Sequence, residues 1–287
     1  MKILKFVVVN LIVFMSLIGC SDDNGTTKET EIPLNPLEYY QELNISYGDD
    51  ANQVFDLYLP ANRTEDTKTI ILVHGGGWTT GDKSEMIDFK NSIRQDFPNT
   101  AIVNLNYRLA NTTTSPYPMQ INDISSVVNH LKTNQSKYTI SNTIGFIGVS
   151  AGGHLALLWS YAHDTDNNVN MVCSIVGPTN FTDPEYLDPN PLMKPLIELF
   201  GIAPGTAFLE EISPYHQAKT SSPPTILFYG GNDPLIPTTQ GTAMRDKLVS
   251  LGVTHQFTLY PDAGHGWIGL DLLDTYLKLK AFIETHL

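Results

Sequence analysis

Gly148-Val149-Ser150-Ala151-Gly152 sets a serine between two glycines, where an apolar β-branched run meets a helix-forming run. At a strand-to-helix turn such a pentad is a nucleophile elbow. Small residues let the backbone bend sharply, and the serine oxygen is lifted clear of the sheet. Taken alone, the pentad also fits a glycine-rich turn with an incidental serine, so the rest of the chain must decide. A second glycine cluster, His74-Gly75-Gly76-Gly77-Trp78, follows directly on an apolar run at 70–73. Glycines at a strand end let backbone N–H groups approach a ligand closely. In acyl transfer the tetrahedral intermediate carries negative charge on the former carbonyl oxygen, and a preorganised backbone donor stabilises it by ~3–4 kcal/mol. Gly76, Gly77 and the residue after the serine, Ala151, are the expected donors. A phosphate-binding loop is the competing chemistry. It fails on detail, because the chain has no G-x-x-x-x-G-K-[ST].

The elements that must position these groups read as alternating strands and helices. Runs at 43–47 and 54–59 alternate polar and apolar residues and suggest an antiparallel opening. Apolar runs at 69–73, 100–105, 144–149, 171–176, 225–229 and 255–260 are too continuous for half-exposed strands and fit central strands covered on both faces. Helical stretches fall at 82–97, 119–134, 152–163, 238–251 and 270–286. That alternation specifies an α/β fold: a mostly parallel sheet of about eight strands, with right-handed crossovers and helices on both faces.

With the two glycine motifs in place, the chain resembles the α/β-hydrolase serine esterases and lipases that carry an HGGG oxyanion loop. The hormone-sensitive-lipase-like and acetyl- or feruloyl-esterase-like branches belong to that group. Further landmarks are Phe55-Asp-Leu-Tyr-Leu-Pro60, Asn106-Tyr-Arg-Leu-Ala110, Tyr117-Pro-Met-Gln-Ile-Asn-Asp123, Ser213-Pro214 and Gly230-Gly-Asn-Asp-Pro234. Val149 before the serine and Asn106 before Tyr-Arg-Leu depart from the hormone-sensitive-lipase branch. Trp78 and the Ser-Ala-Gly-Gly-His run look more like the acetyl/feruloyl-esterase and kynurenine-formamidase-like branches. The resemblance implies that an acid and a histidine follow Ser150 in that chain order. Of the eight histidines, His265 lies in a glycine-flanked loop after the last strand run, a place that suits a general base. Asp233 follows the run 225–229 directly and is the expected acid. Asp262 competes, but it stands only three residues from His265 and reads as a turn residue. Asp123, Arg108 and, more weakly, Asp56 read as buried structural partners.

The N-terminal segment sets location. Lys2 and Lys5 precede an apolar run at 6–18 that is shorter than the ~20 residues of a membrane span. Leu17-Ile18-Gly19-Cys20 resembles a bacterial lipobox, which implies a signal peptide at 1–19, lipidation of Cys20 and a cell-envelope lipoprotein, on the outer membrane or cell surface. A polar, acidic tether at 20–37 would then lead to a catalytic domain at 38–287. Cys173 is left alone in an apolar run and reads as an inert core thiol. A formal charge of −13 argues against nucleic-acid binding. It also argues against electrostatic docking on anionic membranes, leaving the acyl chains to hold the protein there.

The proline-rich, apolar segment 177–222 is a candidate insertion over the carboxyl ends of the strands, where sheet-edge ligands bind. Within it Leu192, Leu196, Ile197 and Phe200 recur at helical spacing, which suits a substrate-contacting cap or a helix packed on the core. Trp78 and Tyr107 suit either a pocket wall or the core. No metal cluster or nucleotide fingerprint stands out, so the expected catalyst is cofactor-free. It is a serine carboxylic-ester hydrolase for short acyl or aryl esters, such as acetylated or feruloylated carbohydrates. An arylformamidase or peptidase with the same three residues, and a non-catalytic envelope binding protein, are the alternatives.

Overall fold

The computed structural model describes residues 33–187, 194–201 and 206–287. The sequence-predicted signal, Cys20, most of the tether and Leu192 lie outside the described residues. Its centre is an eight-stranded sheet in the order β1-β2-β4-β3-β5-β6-β7-β8. The strands are β1 (Tyr40–Ser46), β2 (Val54–Leu59), β3 (Thr69–Val73), β4 (Ala101–Leu105), β5 (Ile144–Val149), β6 (Val169–Ile175), β7 (Thr225–Gly230) and β8 (His255–Tyr260). β1–β2 and β2–β4 pair antiparallel, and every later pair is parallel. β1 begins three residues before the run at 43–47. Its side chains are mostly exposed, so no burial pattern marked the extra length.

Helices cover both faces. Ile70 and Leu72 of β3 belong to one apolar cluster with Met86, Ile93, Leu279, Phe282 and Ile283. The last five come from a 3₁₀ turn (Lys83–Met86), α1 (Ile87–Asp96) and α10 (Leu270–His286). Ile71 and Val73 point the other way, into a cluster with Ile124, Val128, Leu155, Met244 and Leu248. Those residues come from α2 (Met119–Thr133), α4 (Ala151–Leu158) and α9 (Thr238–Leu251). Period-two alternation with both faces buried is why the β3 run reads as uninterrupted hydrophobicity. The stretch predicted as one helix at 82–97 is split. Asp82 Oδ1 accepts from Ser84 N–H at 2.8 Å and caps the 3₁₀ turn, and α1 follows. Short helices fill the remaining connections: α3 (Gln135–Tyr138), α5 (Pro184–Leu187), α6 (Lys194–Glu198), α7 (Thr206–Glu211) and α8 (Pro214–Gln217).

The sheet order reverses between β3 and β5, because β4 lies on one side of β3 and β5 on the other. Loops leaving the carboxyl ends of these two strands diverge, and a crevice opens between them. Parallel register sets Val73 opposite Gly148, so the two glycine motifs emerge side by side.

One half-buried ion pair ties the chain after β4 to α2. Asp123 is fully buried on α2 and accepts from Arg108 Nη2 at 2.6 Å, Arg108 Nε at 3.0 Å and Gln53 Nε2 at 2.9 Å. Its other oxygen accepts from the Arg108 backbone N–H at 2.8 Å. Removing the carboxylate strands a guanidinium and an amide in the protein. Asp123→Ala should therefore lower the unfolding free energy by about 3 kcal/mol, read from urea midpoints, while Lys132→Ala on an exposed pair changes it by well under about 1 kcal/mol.

Candidate active site

Ser150 sits at the turn between β5 and α4 with φ 53° and ψ −122°. A serine pays strain on the order of 1–3 kcal/mol to stay in this region. The surroundings hold it there. A side chain at Gly152 would overlap the carbonyl oxygens of Val73 and His74, and one at Gly148 would overlap that of Gly152. Both flanking glycines of the pentad are thus demanded by close backbone approach. Ser150 N–H donates to Ile175 O at 2.8 Å, and its carbonyl starts the ladder of α4 by accepting from His154 N–H at 3.1 Å.

The structure brings Ser150, His265 and Asp233 together from three separate loops. His265 Nε2 lies 2.9 Å from Ser150 Oγ, and His265 Nδ1 lies 2.8 Å from Asp233 Oδ2. The other Asp233 oxygen accepts from the N–H groups of Leu235 at 2.8 Å and Ile236 at 3.1 Å, which fixes the carboxylate plane. Asp233 is almost fully buried, and the His265 side chain retains 26% of its exposure. Pairing of β7 with β8 sets Gly230 opposite Tyr260. Gly231 N–H then donates to Tyr260 O and Asn232 N–H to Ala263 O, both at 2.8 Å. These bonds lock the loop of Asp233 to the loop of His265. Beyond it, Trp267 Nε1–H donates to Thr275 Oγ1 at 2.8 Å and pins the chain to α10. Asp262, the competing acid, is exposed.

Gly76, Gly77 and Ala151 line the same cavity as Ser150 and His265. Gly76 and Gly77 have φ of 107° and 55°. Among the described residues their N–H groups, and that of Ala151, have no backbone acceptor. Tyr107 belongs to the core and not to the pocket. Its ring stacks on His74 with centroids 4.3 Å apart, and its hydroxyl donates to His74 O at 2.9 Å. Trp78 lies at the cavity edge, its indole packed edge-on to Phe200 at 4.9 Å.

His154 is a residue whose role the sequence did not signal. Trp78 Nε1–H donates to its Nδ1 at 3.1 Å, and its Nε2–H donates to Ile212 O at 2.8 Å. One neutral tautomer satisfies both contacts and ties the glycine loop, through α4, to the segment that follows α7. The cavity, about 620 Å³, is walled by Met86, Phe89, Val149, Leu196, Leu235 and Ile236. Leu196, on α6 of the segment read as an insertion, reaches this cavity, and Ile197 and Phe200 pack in the core.

Burial pushes the His154 pKa down from 6.5 to about 4, with the bond to Ile212 O opposing it. The unfolded chain therefore takes up this proton near pH 6.5 and the folded chain only near 4. Stability from neutral His154 is complete above pH 6.5 and is lost as pH falls through that window, to a total of about 3 kcal/mol. Urea midpoints from pH 7.5 to 4.5 should fall more steeply in wild type than in His154→Gln.

Known proteins place the chain in a family. Esterase LipC of Mycobacterium tuberculosis is 26% identical over 253 residues, covering 82% of this chain and 61% of that protein. The chain thus spans less than two thirds of that relative's length. Among solved structures, a bifunctional GH43-CE protein of Bacteroides eggerthii superposes with TM-score 0.71 at 22% identity, over 86% of this chain and 38% of the other. An acetyl ester-xyloside bifunctional hydrolase from Caldicellulosiruptor lactoaceticus superposes with TM-score 0.68 at 18% identity, over 89% and 98%. The fold is that of the α/β-hydrolase esterases. Residues 55–248, which carry both glycine motifs and Asp233, match the BD-FAE family model, and the chain belongs to that family.

Proposed function

We propose that this protein is a serine carboxylic-ester hydrolase working through an acyl-enzyme. The observation that carries the reading is the continuous Ser150–His265–Asp233 hydrogen-bonded chain on a strained elbow, beside three backbone donors with no backbone acceptor among the described residues. Ser150 Oγ attacks the ester carbonyl carbon while His265 Nε2 takes its proton. The carbonyl oxygen becomes an oxyanion held by the N–H groups of Gly76, Gly77 and Ala151. Collapse breaks the carbon–oxygen bond to the alcohol, whose oxygen receives the proton from His265. Water then repeats the sequence with His265 as base, releasing the acid and free Ser150. Asp233 holds Nδ1–H, fixes the tautomer and stabilises the imidazolium.

Apolar cavity walls suit short acyl or aryl groups, and acetylated or feruloylated carbohydrates are the substrates we infer. Support comes from the family and from similar structures described as a carbohydrate esterase of gut microbiota and an acetyl ester-xyloside hydrolase. The exported, lipidated state inferred from Leu17-Ile18-Gly19-Cys20 would place this activity at the cell envelope.

Ser150→Ala should lower kcat on p-nitrophenyl acetate by a factor on the order of 10⁴ or more, and Asp233→Asn by a factor of similar order. Equal rates for wild type and Ser150→Ala would remove the proposal. A panel of acetylated xylan, feruloylated sugar and p-nitrophenyl esters of rising length ranks the substrates. For location, Cys20→Ser should move the protein from the membrane to the soluble fraction of the producing cell. Unchanged retention excludes lipidation.

A further inference from the structure

Phe89, on α1, forms part of the wall of the cavity over Ser150. It is also a wall of a second, open groove of about 340 Å³, lined further by Ser92, Gly269, Leu272, Leu273 and Tyr276. That groove runs between α1 and the first turns of α10. Leu272 and Leu273 are 45% and 53% exposed, and Ile268 and Leu270 beside them are 86% and 83% exposed. Large apolar side chains gathered at the surface in this way mark a binding face. The chain reaches the first of them, Ile268, three residues after His265, and the Trp267–Thr275 bond holds the connection in place.

We propose that this groove is the subsite for the alcohol portion of the ester, and that it takes alcohols presenting an apolar face beyond the reacting oxygen, whether a hydrocarbon chain, an aromatic ring or the C–H face of a sugar. The assignment rests on the acyl-enzyme reading above. In that reading His265 Nε2–H delivers its proton to the alcohol oxygen as the carbon–oxygen bond breaks, so the alcohol must lie on the His265 side of Ser150. A substituent on that oxygen which passes over Phe89 enters the groove without leaving apolar contact. Asp88 at the groove's edge places a carboxylate there, which disfavours anionic alcohols.

Two ester series separate the sides of the site: ethyl, butyl and hexyl acetate vary the alcohol, and ethyl acetate, butyrate and hexanoate vary the acid. In wild type, kcat/KM should rise along the alcohol series by about twofold for each methylene placed in the half-open groove. In Leu272→Ser/Leu273→Ser the ratio of hexyl to ethyl acetate should fall at least about fivefold. The ratio of ethyl hexanoate to ethyl acetate should be the same in both proteins. A ratio taken within one protein does not depend on how much of it is folded or active. The assignment is overturned if the double variant changes the acid series instead, or if both proteins give the same alcohol series. Failure of wild type to hydrolyse any of these esters overturns the acyl-enzyme reading and the subsite with it. Turnover that survives Ser150→Ala does the same.

Discussion

Gly152 lies against the carbonyl groups of Val73, the last residue of β3, and His74, and the placement of the candidate site residues follows from that approach. With a Cβ at this position, the turn after β5 would be driven off the Val73 and His74 oxygens. Without one, the two chains close to van der Waals contact, and Ser150 is held at φ 53° beside the glycine loop. Parallel register of β3 and β5, with Val73 opposite Gly148, fixes the approach along the strand direction. A one-residue slip would move Ser150 by ~3.3 Å relative to the Gly76 and Gly77 N–H groups, beyond the reach of any hydrogen bond to a common oxyanion. The buried sheet therefore stabilises a local conformation that the elbow could not keep alone.

In the proposed reaction, chemistry and substrate recognition fall to different parts of the molecule. Ser150, Asp233 and His265 each stand within a few residues of a strand end, and their mutual distances are set by sheet pairing. The pocket walls come from connections: Met86 and Phe89 from the turn and helix after the glycine loop, Leu196 from α6, Leu235 and Ile236 from the loop of the acid. Connections tolerate change where strands do not, so an acyl-transfer centre of the proposed kind can be fitted to different esters without moving the strands. The bond from His154 to Ile212 O links these two parts, because it reaches from α4, which follows Ser150, to the residue directly after α7. Through Trp78 the same imidazole supports the oxyanion loop.

Much of this was legible in the sequence, and the division follows the range of the interactions involved. The pentad and the three glycines are local, so they stand out at strand ends, and only their occurrence together makes Ser150, Gly76, Gly77 and Ala151 strong candidates. Asp233 and His265 are far apart, yet each follows a strong apolar run, and the strand order brings them together. Trp78 and His154 stand 76 positions apart and meet only across the packed interior, where no spacing rule applies. Tyr107 was open between pocket and core because an aromatic residue after a strand suits both. Its stacking on His74 needs the register of β3 with β4 to be known. The groove at α10 left no signal, since Leu270-Asp-Leu-Leu-Asp reads as an ordinary amphipathic helix until its outward leucines are counted.

Three imidazoles stand near the reacting serine, and burial separates their tasks. His74 and His154 have no exposed surface, and desolvation lowers both pKa values, so each stays neutral and serves as a fixed polar wedge. His74 Nδ1–H donates to Gly75 O at 2.7 Å, inside the loop it shapes. A general base has the opposite requirement: it must accept a proton, release it to the leaving group and accept another from water. Among these three only His265 keeps a side-chain surface open to solvent while both ring nitrogens are engaged. The Asp233 side chain beneath it is the buried partner, so in the proposed reaction the charge forming on the ring would be met on one side by a carboxylate and on the other by solvent. Placing the base on the last loop, outside the sheet, gives it that exposure. Tying the loop to that of the acid through Asn232 and Ala263 keeps the exposed ring within 2.9 Å of the serine.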